Sequence, residues 1–398
     1  MSTDVVKQEL RGALEGLRAA VAGVLDQAIG PRCRPRDLVR AFDLHQTLAW
    51  KLTRVAYGGD LYDDARFVPG ESGFERFLRG AADRAPRDAI DRVRAARRRF
   101  EQTMLVHAGD RESRDVLLQG LAGTPHQDPT SYRRAGYRCN SFVWGVQTRV
   151  RIQAHIVHRA AQPGRIDIAQ IRGFVGVRRL NPSSPLVLAH RVLLTGTGAS
   201  SVSMEPIDEL HNGVPLLRPF CSESLPRIVK QRGTEGEETL QFDEGIAIGE
   251  KSAVTCFTGE VWRAGASMYA TEEDQSARHG VRIRAPIGLL VHDLVVERGL
   301  FGANLAPDLL VVSELSDVPW YRQPRDGLAL LDVPERVVRL PDGIASAAMV
   351  GVPRYDEILT YACDKLGFDP AGFDVYRVRM QYPIIPTAVA IQFQLPKP

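Results

Sequence analysis

The 398 residues, 44% of them hydrophobic and 25% charged, exceed what one core usually serves and exclude a disordered or fibrous chain. The net charge of +3 hides a segregation: residues 1–135 carry +4, residues 136–200 carry +8 with nine arginines against Asp167 alone, and residues 201–398 carry −9. No apolar run reaches the roughly 18 residues that span a bilayer, the start is unlike a secretory signal, and the five cysteines are scattered without CxxC spacing. The expectation is therefore a cytoplasmic protein without membrane contact, disulfide framework or zinc site.

Residues 5–28 read as a helix in which Leu10, Leu14, Leu17, Val21, Val24 and Ala28 are spaced four and three apart. That is the seam of a short dimerising coiled coil or of a helix docked on its own domain. Gly30 and Pro31 end it. Short helical patterns follow over 36–42 and 44–57, then a loop rich in Gly and Asp from Asp60 to Gly73. Ser72 suits the cap of a helix over 73–82, and Pro86 the first turn of one reaching His107, with Ile90, Val93, Phe100 and Met104 on one side. Asp110 to Leu121 is helical too, so 1–121 reads as a helical domain and 122–131 as a linker. Beyond it the texture changes. Phe142 to His158 alternates apolar residues with Arg or Gln and fits a long helix or a strand. Phe174 to Leu194 holds β-branched runs broken by Asn181, Pro182 and Pro185, and from Gly196 to Pro398 short apolar runs such as Ile246–Ile248, Ala253–Phe257, Gly288–Val296, Leu309–Val312 and Ala388–Phe393 are punctuated by Gly, Pro, Asn and Asp. One helix, Tyr355–Leu366, interrupts them and closes on Gly367. The predicted fold class is α+β, a helical bundle followed by a larger strand-rich region over 132–398.

The sharpest local pattern runs from Arg36 to Val55. Leu38, Val39, Ala41 and Phe42 form one short apolar helix face, Asp43 and Leu44 a tight turn, and Leu48, Leu52 and Val55 continue the inward stripe. This stretch resembles the helix-turn-helix of bacterial transcription regulators. The resemblance implies duplex DNA as partner, with Gln46, Thr47, Trp50, Lys51 and Arg54 on the DNA-facing side of the second helix. Gln suits adenine, Arg suits guanine, and Thr suits a base or a phosphate. Trp50 departs from the pattern, because a large indole lies where the groove would be entered, and Asp43 stands where such turns usually carry Gly.

Further along, Arg133, Arg134, Arg138, Arg149 and Arg151 are interleaved with aromatics, as in a surface for phosphates or another polyanion; the alternative is an interface with acidic surface of the same chain or another subunit. Arg97, Arg98 and Arg99 cannot share one helix face, so part of that run is solvated. His155 and His158 would share a helix face but lack a third ligand, which gives no metal. Gly196 to Ser201 resembles a phosphate-cradling loop without its downstream Gly and Lys. No nucleophile motif or paired carboxylate indicates catalysis, and no cofactor is expected. The reading is a homo-oligomeric DNA-binding regulator whose strand-rich region senses an unidentified small effector or oligomerises. A self-assembling structural protein is the first alternative, and an enzyme with an unrecognised site the second.

Overall fold

The computed structural model describes residues 3–121, 129–192, 204–232, 237–243, 248–272, 275–303, 305–315, 320–322 and 327–398. The Gly196–Ser201 loop and most of the Ile246–Ile248 run lie outside these residues. The fold is α+β, with the chain dividing into two compact units, Met1–Gln127 and Asp128–Pro398.

The first unit is helical: α1 (Thr3–Ala28), α2 (Pro35–Phe42), α3 (Gln46–Tyr57), α4 (Leu61–Ala65), α5 (Glu71–Ala81), α6 (Arg87–Ala108) and α7 (Arg111–Leu121). The α1 seam faces inward. Leu10, Leu14, Leu17, Val21 and Val24 are buried in the same cluster as Val93 and Phe100 of α6 and Leu52 of α3, so this seam is occupied within its own unit. The helix over 73–82 begins earlier than Ser72 suggests, with Gly70 in the capping position and Glu71 in the first turn. Gly80 of α5 crosses α2 so closely that a Cβ there would stand 2.6 Å from the carbonyl oxygen of Phe42. The expected loop from Asp60 contains α4, nucleated by the Asp60 carboxylate, which accepts from the backbone N–H groups of Tyr62 and Asp63.

The second unit begins with α8 (Thr130–Trp144), which Gly145 closes in the left-handed region at φ 63°. The stretch Phe142 to His158 is therefore the end of a helix and then a strand. The strands, in chain order, are β1 (Val146–Arg159), β2 (Arg165–Arg179), β3 (Leu186–Val192), β4 (Met204–Pro206), β5 (Ile228–Arg232), β6 (Glu237–Phe242), β7 (Val254–Ser267), β8 (Ser276–Ile283), β9 (Ile287–Glu297), β10 (Asp308–Ser313), β11 (Val338–Arg339), β12 (Phe373–Gln381) and β13 (Thr387–Gln394), with α9 (Tyr355–Leu366) before the last two. They form a seven-stranded sheet, β11-β12-β9-β1-β2-β7-β4, and two three-stranded sheets, β10-β13-β8 and β3-β6-β5. β1 and β9 run parallel, with Ile152 opposite Val291, and the other laddered pairs are antiparallel.

One face of the large sheet packs Val150, Ile152, Ala169, Ile171, Val291 and Val295 against Ile358, Leu359 and Ala362 of α9. Beneath that helix Asp293, fully buried, accepts from Nε and one terminal nitrogen of Arg377 at 2.9 and 2.7 Å and from the Tyr355 hydroxyl at 3.0 Å. The opposite face meets the β10-β13-β8 sheet through Val281, Leu290, Leu294, Val389 and Ile391, and the β3-β6-β5 sheet through Phe174, Val177, Leu240 and Phe242. Between these two apolar patches lies a band of polar side chains.

Candidate functional site: a histidine-floored pocket

Alternation along β1 decides where its histidines go. Residues three apart on a strand face opposite ways. His155 points from the polar band toward β8, while His158 stacks on the Phe368 ring at 3.9 Å between centroids. The pair expected to share a face is thereby separated. His155 instead meets His279 of β8 and His292 of β9, with ring centroids 5.3 and 5.4 Å away.

All three rings are at most 6% exposed. Burial pushes the pKa of each below its ordinary 6.5, and their mutual repulsion adds to the effect for His155 and His279; His279 is pushed down to about 3. They are neutral at pH 7, and their hydrogen bonds set the chemistry. The Gln153 amide donates to Nε2 of His155 at 3.4 Å, which places the His155 proton on Nδ1. That Nδ1 has no partner, and neither has Nε2 of His279 nor the indole Nε1 of Trp320. His292 is better placed, its ring nitrogens standing 3.1 and 2.8 Å from the carbonyl oxygens of Gln153 and His279, although as a neutral ring it donates to only one of them.

His155, His279 and Trp320 line a cavity of about 1080 Å³ that opens where the edge strand β8 faces β2 and β7. Trp262, Tyr269 and Tyr321 add aromatic wall, and Gln170, Gln392 and Gln394 add amides. The guanidinium groups in and behind this wall are held by protein acceptors. Arg278 donates to Gln392 at 2.8 Å and to the Trp320 carbonyl at 3.3 Å, and Arg172 pairs with Glu260 at 2.9 Å. Gly280 allows Trp320 to lie across the strand, since a Cβ there would stand 2.6 Å from the indole. Among the described residues no group of three or more His, Cys, Asp or Glu side chains is arranged to hold a metal ion.

The residues expected to meet DNA lie on α3. The turn before it has the required shape: Asp43 adopts the left-handed region at φ 50°, Leu44 is buried, and Nδ1 of His45 accepts from the Thr47 N–H at 3.3 Å. Gln46 and Thr47 are exposed, Lys51 is half-buried, and Trp50 is 43% exposed with its edge on Phe67 at 4.9 Å. Arg54 is half-exposed, on the outward side the helical wheel suggests, but it is already engaged. Its guanidinium is held by the buried Asp64 at 2.6 Å and by Asp63 at 3.5 Å, because α4 brings both carboxylates beneath it. Leu48, expected inside, is only half-buried, and Ala49 takes the inward place.

The expected polyanion surface also divides. Arg134, Arg138 and Arg149 are exposed, but Arg133 and Arg151 are buried. Arg133 binds Glu335 through both terminal nitrogens, at 2.5 and 3.1 Å. Arg151 lies 4.0 Å over the Phe174 ring and donates to the Gly173 carbonyl, since alternation along β1 turns it into the polar band. Sequence reasoning missed His279, His292, Trp320 and Gln392, which come from three strands and a turn and share no local motif. Comparisons with protein-family models, with curated proteins and with solved structures found no match to this chain.

Proposed function

We propose that this chain is a ligand-sensing, DNA-binding regulator. Its strand-rich unit receives a neutral small molecule with a flat ring and hydrogen-bonding edges, and its helical unit engages duplex DNA through α2 and α3. The observation that carries the reading is the set of three buried nitrogens without protein partners, on His155, His279 and Trp320, around one aromatic-walled pocket. Buried polar atoms are nearly always satisfied, and leaving one unmet costs about 1–3 kcal/mol. A guest that accepts from His155 Nδ1 and from Trp320 Nε1 recovers that cost. Neutral imidazoles, hydrogen-bonded guanidinium groups and flanking indoles suit an uncharged ring rather than an anion or a metal.

The DNA half rests on the left-handed Asp43 turn, on Gln46, Thr47 and Lys51 along α3, and on the exposed Arg32 and Arg34 before α2 and Arg36 and Arg40 on it. Arginines there would hold phosphates while α3 enters the groove. Arg54, occupied by Asp64, has no part in it.

Titration of the full chain with a panel of neutral nucleosides, free purines and pyrimidines, and monosaccharides, followed by tryptophan fluorescence, tests the pocket. A saturable change that His155→Gln and Trp320→Phe both weaken supports it. If no member of the panel binds, or if binding survives both substitutions, the pocket reading falls. Anisotropy with a randomised duplex library tests the other half. Binding should weaken steeply with salt and lose slope in Arg36→Ala and Arg40→Ala. Binding absent at low salt would remove DNA from the proposal and leave the ligand receptor standing.

A further inference from the structure

Cys221 and Cys256 sit together at the β3-β6-β5 end of the large sheet, where Cys256 stands in register with Phe174 on the same face as the histidine band. Cys256 belongs to β7 and is buried; Cys221 is half-buried at the end of a short 3-10 turn, Arg218–Phe220. The backbone clamps the two against each other. Ser222 donates its N–H to the Thr255 carbonyl at 2.8 Å, the Ser222 hydroxyl accepts from the Thr255 N–H at 2.8 Å, and the Phe257 N–H donates to Sγ of Cys221 at 3.3 Å. Cys221 packs against the apolar cluster that contains Cys256, and its own thiol reaches the carbonyl oxygens of Leu217 at 3.4 Å and Phe257 at 3.6 Å. Neither thiol packs with another cysteine elsewhere: Cys33, Cys139 and Cys363 occupy separate elements.

We propose that Cys221 and Cys256 form a peroxide-oxidisable dithiol, with Cys221 the attacking sulfur and Cys256 the resolving one. The roles follow from access and from hydrogen bonding. Cys221 is the more accessible of the two, and the Phe257 N–H that reaches its sulfur favours its thiolate. The neighbouring Cys256 and the Arg218 charge hold it below the usual thiol range. Cys256 is held as the thiol by burial and by its neighbour.

The thiolate of Cys221 attacks one oxygen of the peroxide. An S–O bond forms, the O–O bond breaks, and the departing oxygen leaves as hydroxide that takes a proton to become water. Sγ of Cys256 then attacks the sulfenic sulfur. The S–S bond forms, the S–O bond breaks, and hydroxide leaves as water with the proton of Cys256. Two thiols have lost two electrons and the peroxide has gained them. A thiol donor reverses the change.

The test treats the reduced full-length protein with hydrogen peroxide, alkylates the remaining thiols and maps the peptides by mass spectrometry. A Cys221–Cys256 linked peptide that disappears on treatment with dithiothreitol is expected. Cys256→Ser should abolish the link and leave Cys221 as a sulfenic acid that a dimedone probe captures. Should Cys256→Ser fail to fold, Cys221→Ser serves instead, with Cys256 then expected to stay reduced. The proposal is overturned if Cys221 and Cys256 remain alkylated thiols while Cys33 or Cys139 oxidises, or if Cys221 proceeds to sulfinic acid with Cys256 still free.

Discussion

Protonating His279 would bury a cation beside His292, which is why its pKa falls from 6.5 to about 3. The unfolded chain, with an ordinary histidine, binds a proton that the folded chain refuses between those two values. Stability therefore rises with pH across this window: the contribution is complete above pH 6.5 and is lost as the pH falls toward 3, at about 1.4 kcal/mol per pH unit for each such histidine. His155 and His292 shift in the same direction. We expect urea midpoints to drop between pH 6.5 and pH 5, and His279→Gln to flatten that slope; an unchanged slope would mean that the ring is hydrated. The ion cluster at Asp64 follows the same logic with opposite charge. Its carboxylate, 1% exposed, meets Arg18 at 2.8 Å and Arg54 at 2.6 Å. Arg54→Ala removes one of the two guanidinium groups on this carboxylate, leaving Arg18 and the Asp60 N–H at 3.2 Å, and should cost about 1–3 kcal/mol of stability, less than breaking a fully isolated buried pair. Thermal unfolding of the full chain measures it, and a melting temperature equal to wild type would show that Arg18 alone suffices.

Whole helices in the first unit were legible because their apolar residues recur at the helical period over many turns, as in α1 and α6. The rotation of α3 was less so. Leu44, Leu48, Leu52 and Val55 make one stripe on a wheel, yet the buried set is Ala49, Leu52, Val55 and Ala56, with Leu48 at the edge beside Gly73. A small alanine can be the most enclosed residue of a face without looking apolar enough to mark it. Leu52→Ala should accordingly cost about 2–5 kcal/mol, and Leu48→Ala clearly less, a ranking that equilibrium denaturation of both variants would check. The five-residue α4 is too short to show a period, and only its capping Asp60 signals it. β1 was ambiguous between helix and strand, because its alternation continues directly from α8 and only Gly145 breaks the register.

The class of the whole molecule could be read from the change of texture after the first 121 residues, whereas its pocket could not. His155, His279, His292 and Trp320 converge only once β1, β8, β9 and the 320–322 turn are in place, and no spacing in a linear sequence encodes that meeting. The misplacement of Arg133 and Arg151 has a similar cause: an arginine-rich run looks like an outer surface until Glu335 and Phe174 arrive from elsewhere. The parallel pairing of β1 with β9 carries this dependence into time. Antiparallel β1 and β2 are joined by a short turn and can close early, but the other edge of β1 waits for a strand that begins at Ile287. Pairings distant in sequence form slowly, so pulsed hydrogen exchange during refolding should protect amides bonded between β1 and β2 before those between β1 and β9. Simultaneous protection would point instead to a concerted collapse. In the interval the apolar edge of β1, with Ile152, Ala154 and Ile156, is open to a strand from any other chain. A weakening substitution in β9 would thus surface first as aggregation during synthesis, at protein concentrations and temperatures the finished fold tolerates.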